Sequence, residues 1–218
     1  HDCGRPYQRD EAWLTFFERI ARRIAEDIRP HTVLDAGCAW GFLVESLRHL
    51  GIEAYGLDVS DYAIQQVHPD VRPYCWVGSI LDPLPQHYDL IVSIEVLEHM
   101  TRRDGELAVV NICNHANEIL FSSSPNDYQE ATHFNVHPPE YWARLFARQG
   151  YYRDVNYETS YVTPWAIRFR KDLTLIDDVI VPYERELWTH LQARHEMRER
   201  ILALELRLRQ LYEDVSVS

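Results

Sequence analysis

One stretch constrains this chain more than any other: Thr32 to Ser60, TVLDAGCAWGFLVESLRHLGIEAYGLDVS. The apolar pair Val33-Leu34 runs into Asp35 and the turn Ala36-Gly37-Cys38-Ala39-Trp40-Gly41. Leu43, Leu47 and Leu50 then recur at helical spacing until Gly51 stops the pattern. A second apolar run, Ala54 to Leu57, ends on a second acid, Asp58. Strand, glycine turn, helix and strand make a βαβ unit. Its ligands bind at the carboxyl ends of the strands, where both acids fall.

The turn carries its own chemistry. Gly37 and Gly41 permit backbone angles closed to other residues and leave no Cβ in a ligand's way. The turn opens a helix, whose free N–H groups favour a carboxylate or phosphate. Asp58 is placed to accept two hydrogen bonds from a ribose diol. The spacing is Gly-x-x-x-Gly rather than the Gly-x-Gly-x-x-Gly of dinucleotide sites. It favours a nucleoside with an amino-acid tail over a pyrophosphate.

The rest of the chain supplies the layers. An irregular arm, residues 1–10, precedes a helix from Glu11 to Ile28 whose core face is Trp13, Phe16, Phe17, Ile20, Ile24 and Ile28. Ser60 or Asp61 caps a short helix, and Val71 to Val77 is expected as a third strand. Tyr88 to Ile94 is near-continuously apolar, as a strand buried on both faces should be. Asp104 to Ile112 reads as a helix, Glu118 to Ser122 as the fifth strand, and Pro138 opens a helix ending at Gly150. Tyr151 to Tyr157 and Tyr161 to Phe169 are expected as two closing strands joined by a turn.

The run Val33 to Gly41 with Asp58 resembles the first two motifs of the Rossmann-like methyltransferases that use S-adenosylmethionine. Gly78-Ser79-Ile80-Leu81-Asp82 resembles their third motif, and Thr132 to Gly150 their late region. The resemblance covers about Thr32 to Phe169. It implies a doubly wound α/β fold, a seven-stranded, mostly parallel sheet with an antiparallel hairpin at one edge. It implies S-adenosylmethionine as cofactor and S-adenosylhomocysteine as product. Asp35, Gly37, Ala39 and Gly41 would cradle the methionine end, Asp58 would hold the ribose, and Val59, Ser79 and Ile80 would line the adenine. Cys38, Phe42 and Ser60 belong to the same two turns, Glu95 would shape the wall beside the methionine, and Tyr7 on the arm is placed to fold over the pocket. Asp82 comes late for the acid that related enzymes carry near the third motif.

Methyl transfer to oxygen needs a group to take the proton. Two places offer one: Glu95-Val96-Leu97-Glu98-His99 after the fourth strand, and the loop with His133 and His137 after the fifth. An imidazole suits the task. His133 is the candidate base, with His99 assisting and His137 facing the acceptor from the same loop. Two alternatives stand beside this. Glu95, Glu98 and His99 with His133 or His137 resemble the metal-ligand set of small-RNA 2′-O-methyltransferases. The fold could instead be a non-catalytic scaffold presenting its tail to a partner.

Composition bears on the acceptor. The 218 residues hold 34 acids against 22 lysines and arginines, a formal net charge of −12. Such a field repels nucleic-acid backbones, so a nucleic-acid partner is disfavoured. The CGRPY arm, the LDAGCAWGFLVESLR turn and the HFNVHPPEYW loop together resemble methyltransferases found beside or fused to bacterial glycosyltransferases. That implies a sugar or glycan-precursor hydroxyl in polysaccharide biosynthesis, with Trp142, Tyr161 and Trp165 as candidate stacking surfaces if they are not core. Four cysteines, Cys3, Cys38, Cys75 and Cys113, lack metal spacing and suit a reducing, cytoplasmic setting. No apolar run reaches the roughly 18–20 residues of a membrane span.

The expected organisation is an arm and helix over 1–30, a methyltransferase domain over 31–172 and a helical tail over 173–218. From Glu184 to Glu213 there is neither Gly nor Pro. Leu187, Met197, Ile201, Leu204, Leu208 and Leu211 keep alternating three- and four-residue steps, interrupted by His190 and Arg194. This is a heptad-like seam. It suits a helix folded back on the domain, or one that dimerises or links the chain to a glycosyltransferase.

Overall fold

The structure, a computed structural model, describes residues 7–171 and 176–216. The chain divides into two compact units with the boundary after Leu173. In the first, seven strands form one sheet in the order β3-β2-β1-β4-β5-β7-β6. They are β1 (Thr32–Ala36), β2 (Glu53–Asp58), β3 (Cys75–Val77), β4 (Tyr88–Ile94), β5 (Ala116–Ser122), β6 (Tyr151–Arg153) and β7 (Ile167–Lys171). The first five are parallel, and β7 runs antiparallel between β5 and β6. The seven-stranded doubly wound sheet expected from the sequence is the one present.

Helices cover both faces. Against one pack α1 (Glu11–Arg23), α2 (Phe42–His49) and α3 (Asp61–Gln66), around a core of Ile20, Val33, Leu43, Leu47, Leu90 and Val92. Against the other lie α4 (Arg102–His115) and α5 (Pro139–Ala147), around Leu34, Ile91, Ile112, Phe121, Trp142 and Phe146. Trp142 is therefore core and not a stacking surface. Asp10 caps α1, Ser60 caps α3 and Thr101 caps α4, each side chain accepting a backbone N–H of the first turn. The last turn of the first helix widens into a π-helix, Ile24–Ile28, closed by Arg29 in the left-handed conformation.

Two expected strand spans are corrected. Val71 to Val77 yields only Cys75–Val77, because Arg72–Tyr74, with Pro73 in its first turn, forms a 3₁₀ turn. The closing strands shrink to β6 and β7, leaving residues 154–166 as a loop. That loop is tied down by Thr159, whose hydroxyl donates to the Ala166 carbonyl, and Tyr161, whose hydroxyl pairs with that of Tyr157. Tyr161 thus belongs to the loop's own packing.

The second unit is one helix, α6 (Ile176–Ser216). Among the described residues no helix is long and apolar enough to cross a membrane.

Candidate functional site

Strand order reverses between β1 and β4, the point where open α/β sheets leave a crevice at the carboxyl ends of their strands. Here the crevice holds two cavities of about 440 and 360 Å³ that share Gly37, Ala39, Glu95 and His99.

The turn after β1 shapes the crevice by folding over β2. Gly37 and Cys38 both donate their N–H to the Leu57 carbonyl, at 2.7 and 3.0 Å. Two glycines make this possible. Gly37 sits at φ +93°, and a Cβ there would lie 2.3 Å from Val96 Cγ2. At Gly56 in β2 a Cβ would lie 2.7 Å from the Cys38 sulfur and 2.9 Å from that of Cys75. Cys38 and Cys75 are buried free thiols that fill this space. Ala39 is held at φ +46°, a strained position for a residue with a side chain. Asp58 holds it there: Oδ2 accepts the Ala39 N–H at 2.8 Å, while Oδ1 accepts the Ser60 N–H at 2.8 Å. The second acid is thus a fastener of the turn as well as a wall of the cavity.

The smaller cavity has apolar sides from Leu57, Val59, Ile80, Val96 and Met100, with Asp58 among them and Gly78 open to it. The larger is lined by Tyr7, Trp13, Phe16 and Phe17 on one side and by Asp35, Glu95, His99, Asp127, Glu130 and His133 elsewhere. Among the described residues five carboxylates face the two spaces, and neither lysine nor arginine does. Asp35 is buried, and that burial with the nearby charge of Asp58 pushes its carboxyl up to about 8. Such a place is suited to a cation.

Several expected cofactor residues stand apart from these cavities. Gly41, Phe42, Ser60 and Ser79 line neither of the two. Gly41 is the N-cap of α2 at φ +72° and faces Val67 and Cys75. Phe42 is buried behind Tyr7 and Phe17. Ser60 spends its hydroxyl capping α3, and Ser79 accepts the Leu81 N–H within its own loop. Asp82 also lies outside both, its carbonyl accepting from Asn111. The structure does bring together Tyr7, Asp35, Gly37, Cys38, Ala39, Glu95, His99 and His133 around the larger cavity, and Asp58, Val59 and Ile80 around the smaller.

The arm is anchored by a pairing that sequence reading missed. The two terminal guanidinium nitrogens of Arg9 meet the Glu45 carboxylate, at 2.8 and 2.7 Å. The Tyr7 ring lies against Trp13, Trp40 and Phe42, with centroids 4.9, 5.6 and 5.3 Å away. Burial raises the Tyr7 hydroxyl well above its ordinary value, so it stays neutral.

Glu95, at the tip of β4, sits at φ +54°. Its Oε1 accepts the Trp165 indole N–H at 2.9 Å, a contact delivered by the loop before β7. Glu98 is fully buried; Oε1 accepts the Ser124 N–H, and burial with the Glu95 charge pushes its carboxyl up to about 8. The two imidazoles are neighbours, ring centroids 4.6 Å apart. His99 Nδ1 meets the Thr132 hydroxyl at 3.0 Å. Burial and the facing His133 ring hold His99 below the usual imidazole range, hence neutral near pH 7. His133 Nδ1 lies 3.0 Å from the Asp127 carbonyl, which can only accept, so Nδ1 carries a hydrogen and Nε2 is the nitrogen that holds the lone pair whenever the ring is neutral. His137 is elsewhere: it stacks on Tyr141 at 3.8 Å and lines neither cavity. Among the described residues no group of three or more His, Cys, Asp or Glu is arranged to hold a metal ion. Glu95, Glu98, His99 and His133 are therefore not arranged as a ligand set in this structure.

The carboxyl shifts have a measurable consequence. Asp35 and Glu98 are protonated more readily folded than unfolded, so their stabilising effect is complete below about pH 4 and lost as pH rises through about 8. Thermal melts of the ligand-free protein should show Tm falling from pH 6 to 9. Asp35→Asn should flatten that slope and stabilise the fold at pH 8 by at least about 1 kcal/mol, or roughly 2–4 °C. An unchanged slope would contradict the burial of an acid at this place.

Comparison with known proteins fits this geometry. A family model described as a methyltransferase domain matches residues 7–154. A ubiquinone biosynthesis O-methyltransferase of Nitrosospira multiformis is 32% identical over 95 residues, covering 40% of this chain and 38% of that protein. The chain thus spans about two-fifths of the length of such curated relatives. In fold it is similar to the magnesium protoporphyrin IX methyltransferase of Synechocystis PCC 6803, solved with S-adenosylhomocysteine bound. The TM-score is 0.61 at 15% identity, over 77% of this chain and 90% of that one. The small RNA methyltransferase HEN1 aligns at TM-score 0.57 and 19% identity, over 78% of this chain and 27% of that one.

Proposed function

Because this chain belongs to the methyltransferase-domain family, we propose that it transfers a methyl group from S-adenosylmethionine to a hydroxyl of a small, ring-shaped acceptor, a sugar or glycan precursor. The observation that carries the reading is the charge of the crevice: among the described residues, five carboxylates and neither lysine nor arginine line two adjoining cavities. Bound there, S-adenosylmethionine supplies an electrophilic methyl group on a positively charged sulfur.

The chain's own residues would bind, orient and move a proton. Asp58 would accept from the ribose hydroxyls, and Leu57, Val59, Ile80, Val96 and Met100 would enclose the base. Asp35 would meet the ammonium of the amino-acid tail and lose its proton in doing so. Tyr7, held by the Arg9–Glu45 pair, would close the crevice and exclude water. The acceptor would occupy the larger cavity, its ring against Trp13, Phe16 and Phe17. Asp127 and Glu130 would accept hydrogen bonds from further hydroxyls and repel phosphates. His133 Nε2 would take the proton of the attacking hydroxyl, with His99, neutral and 4.6 Å away, packing the imidazole in place.

The aromatic wall also suits a phenol, and the relatives named for ubiquinone biosynthesis favour testing one. Labelled S-adenosylmethionine should be offered with neutral mono- and oligosaccharides, nucleotide sugars and catechols. Label transfer to a saccharide hydroxyl is the expected result, with nucleotide sugars poorer for their phosphates. Transfer to catechols alone would replace the sugar by the phenol, and transfer only to amines would overturn O-methylation.

A further inference from the structure

The crevice accounts for the first unit and leaves α6 unexplained. This helix runs 41 residues, about 60 Å at 1.5 Å per residue, and it exposes a long apolar seam. Pro182 lies near its start and weakens the first turns; beyond it the helix has neither Pro nor Gly. In a heptad frame Leu187, Arg194, Ile201 and Leu208 take the a positions, and His190, Met197 and Leu204 the d positions. Leu187, Met197, Ile201, Leu204 and Leu208 are each at least half exposed. A stripe of this length open to water has a large apolar area to lose.

We propose that the occupant of this seam is the same helix of a second copy, in a parallel, in-register two-stranded coiled coil. Two independent features select that arrangement. In register, every apolar layer meets itself, while Arg194 meets Arg194 and His190 meets His190. A slip of one heptad would press Arg194 against Leu187 or Ile201, burying a charge in an apolar layer. The flanking charges agree: Arg200 at g faces Glu205 at e of the partner helix, a complementary pair made twice by the symmetry. An antiparallel pair, in which a faces d, would lose this match and would set Arg194 and His190 against apolar residues such as Met197 and Ile201.

The full 218-residue chain should therefore run in light scattering at about twice the 25.8 kDa of one copy. Two neighbouring substitutions separate the seam from a general effect of charge. Ile201 and Leu202 are 51% and 48% exposed, but only Ile201 lies on the seam. Ile201→Glu should raise the dimer dissociation constant at least about tenfold, and Leu202→Glu should leave it within about twofold. Arg200→Glu should weaken the dimer, and adding Glu205→Arg should restore it. With Cys3→Ser to remove the one cysteine outside the described residues, Ile201→Cys should form an interchain disulfide on mild oxidation, since only a parallel in-register pair brings residue 201 to itself. A monomer at tens of micromolar, equal effects of the two glutamates, or a dimer that oxidation of the Ile201→Cys variant fails to cross-link would each overturn the proposal.

Discussion

Asp58→Ala should weaken S-adenosylhomocysteine binding at least about 100-fold while leaving the domain folded. Two losses combine. The ribose diol loses its acceptor, and the N–H groups of Ala39 and Ser60 lose theirs. An unpaired buried donor costs about 1–3 kcal/mol, and here the cost falls on the turn that forms the wall shared by both cavities. Ala39 at φ +46° has no reason to stay there once Asp58 releases it. Asp58→Asn keeps one oxygen and should fall between the alanine variant and the wild type. Calorimetric titration is the readout, with circular dichroism to verify the fold. Affinity within about threefold of wild type would remove Asp58 from the site.

The second large effect is on turnover. His133→Ala should lower kcat by about 100- to 1000-fold, the usual worth of a positioned proton acceptor, with S-adenosylhomocysteine affinity within about twofold. The Asp127 carbonyl fixes the hydrogen on Nδ1, so the lone pair of Nε2 is the group removed. His99→Ala should cost less, about 10-fold, because its role is to hold the neighbouring ring. Undiminished turnover in His133→Ala would end its assignment as base.

What could be read from the sequence follows the range of the forces involved. Tyr88 to Ile94 is the β4 strand residue for residue, because burial on both faces makes it one near-continuous apolar run. The βαβ unit was equally legible, since strand, turn and helix each have a local signature. Local signals also misled where something nearby outweighed them. Pro73 diverted Arg72–Tyr74 from strand to 3₁₀ turn, and Gly41 and Phe42, inside the motif, turn toward Val67, Tyr7 and Phe17. The contacts that no local pattern announces are those made across the chain. Arg9 finds Glu45 thirty-six residues away, and Trp165 reaches Glu95 across seventy. Their one sequence-level trace is an arginine beside the Tyr7 arm and a tryptophan in a loop, each with many other uses. His137 shows the converse: spacing put it beside His133, and the ring of Tyr141 drew it away.

The central claim is that adenosine and a cationic amino-acid tail sit at the rim where β1, β2 and β3 end. A crystal structure of the complex with S-adenosylhomocysteine tests it most directly. The account predicts ribose hydroxyls within hydrogen-bonding distance of Asp58, the base between Val59 and Ile80, and the ammonium beside Asp35. Ligand density anywhere else in the fold, or an empty rim at saturating ligand, would contradict it.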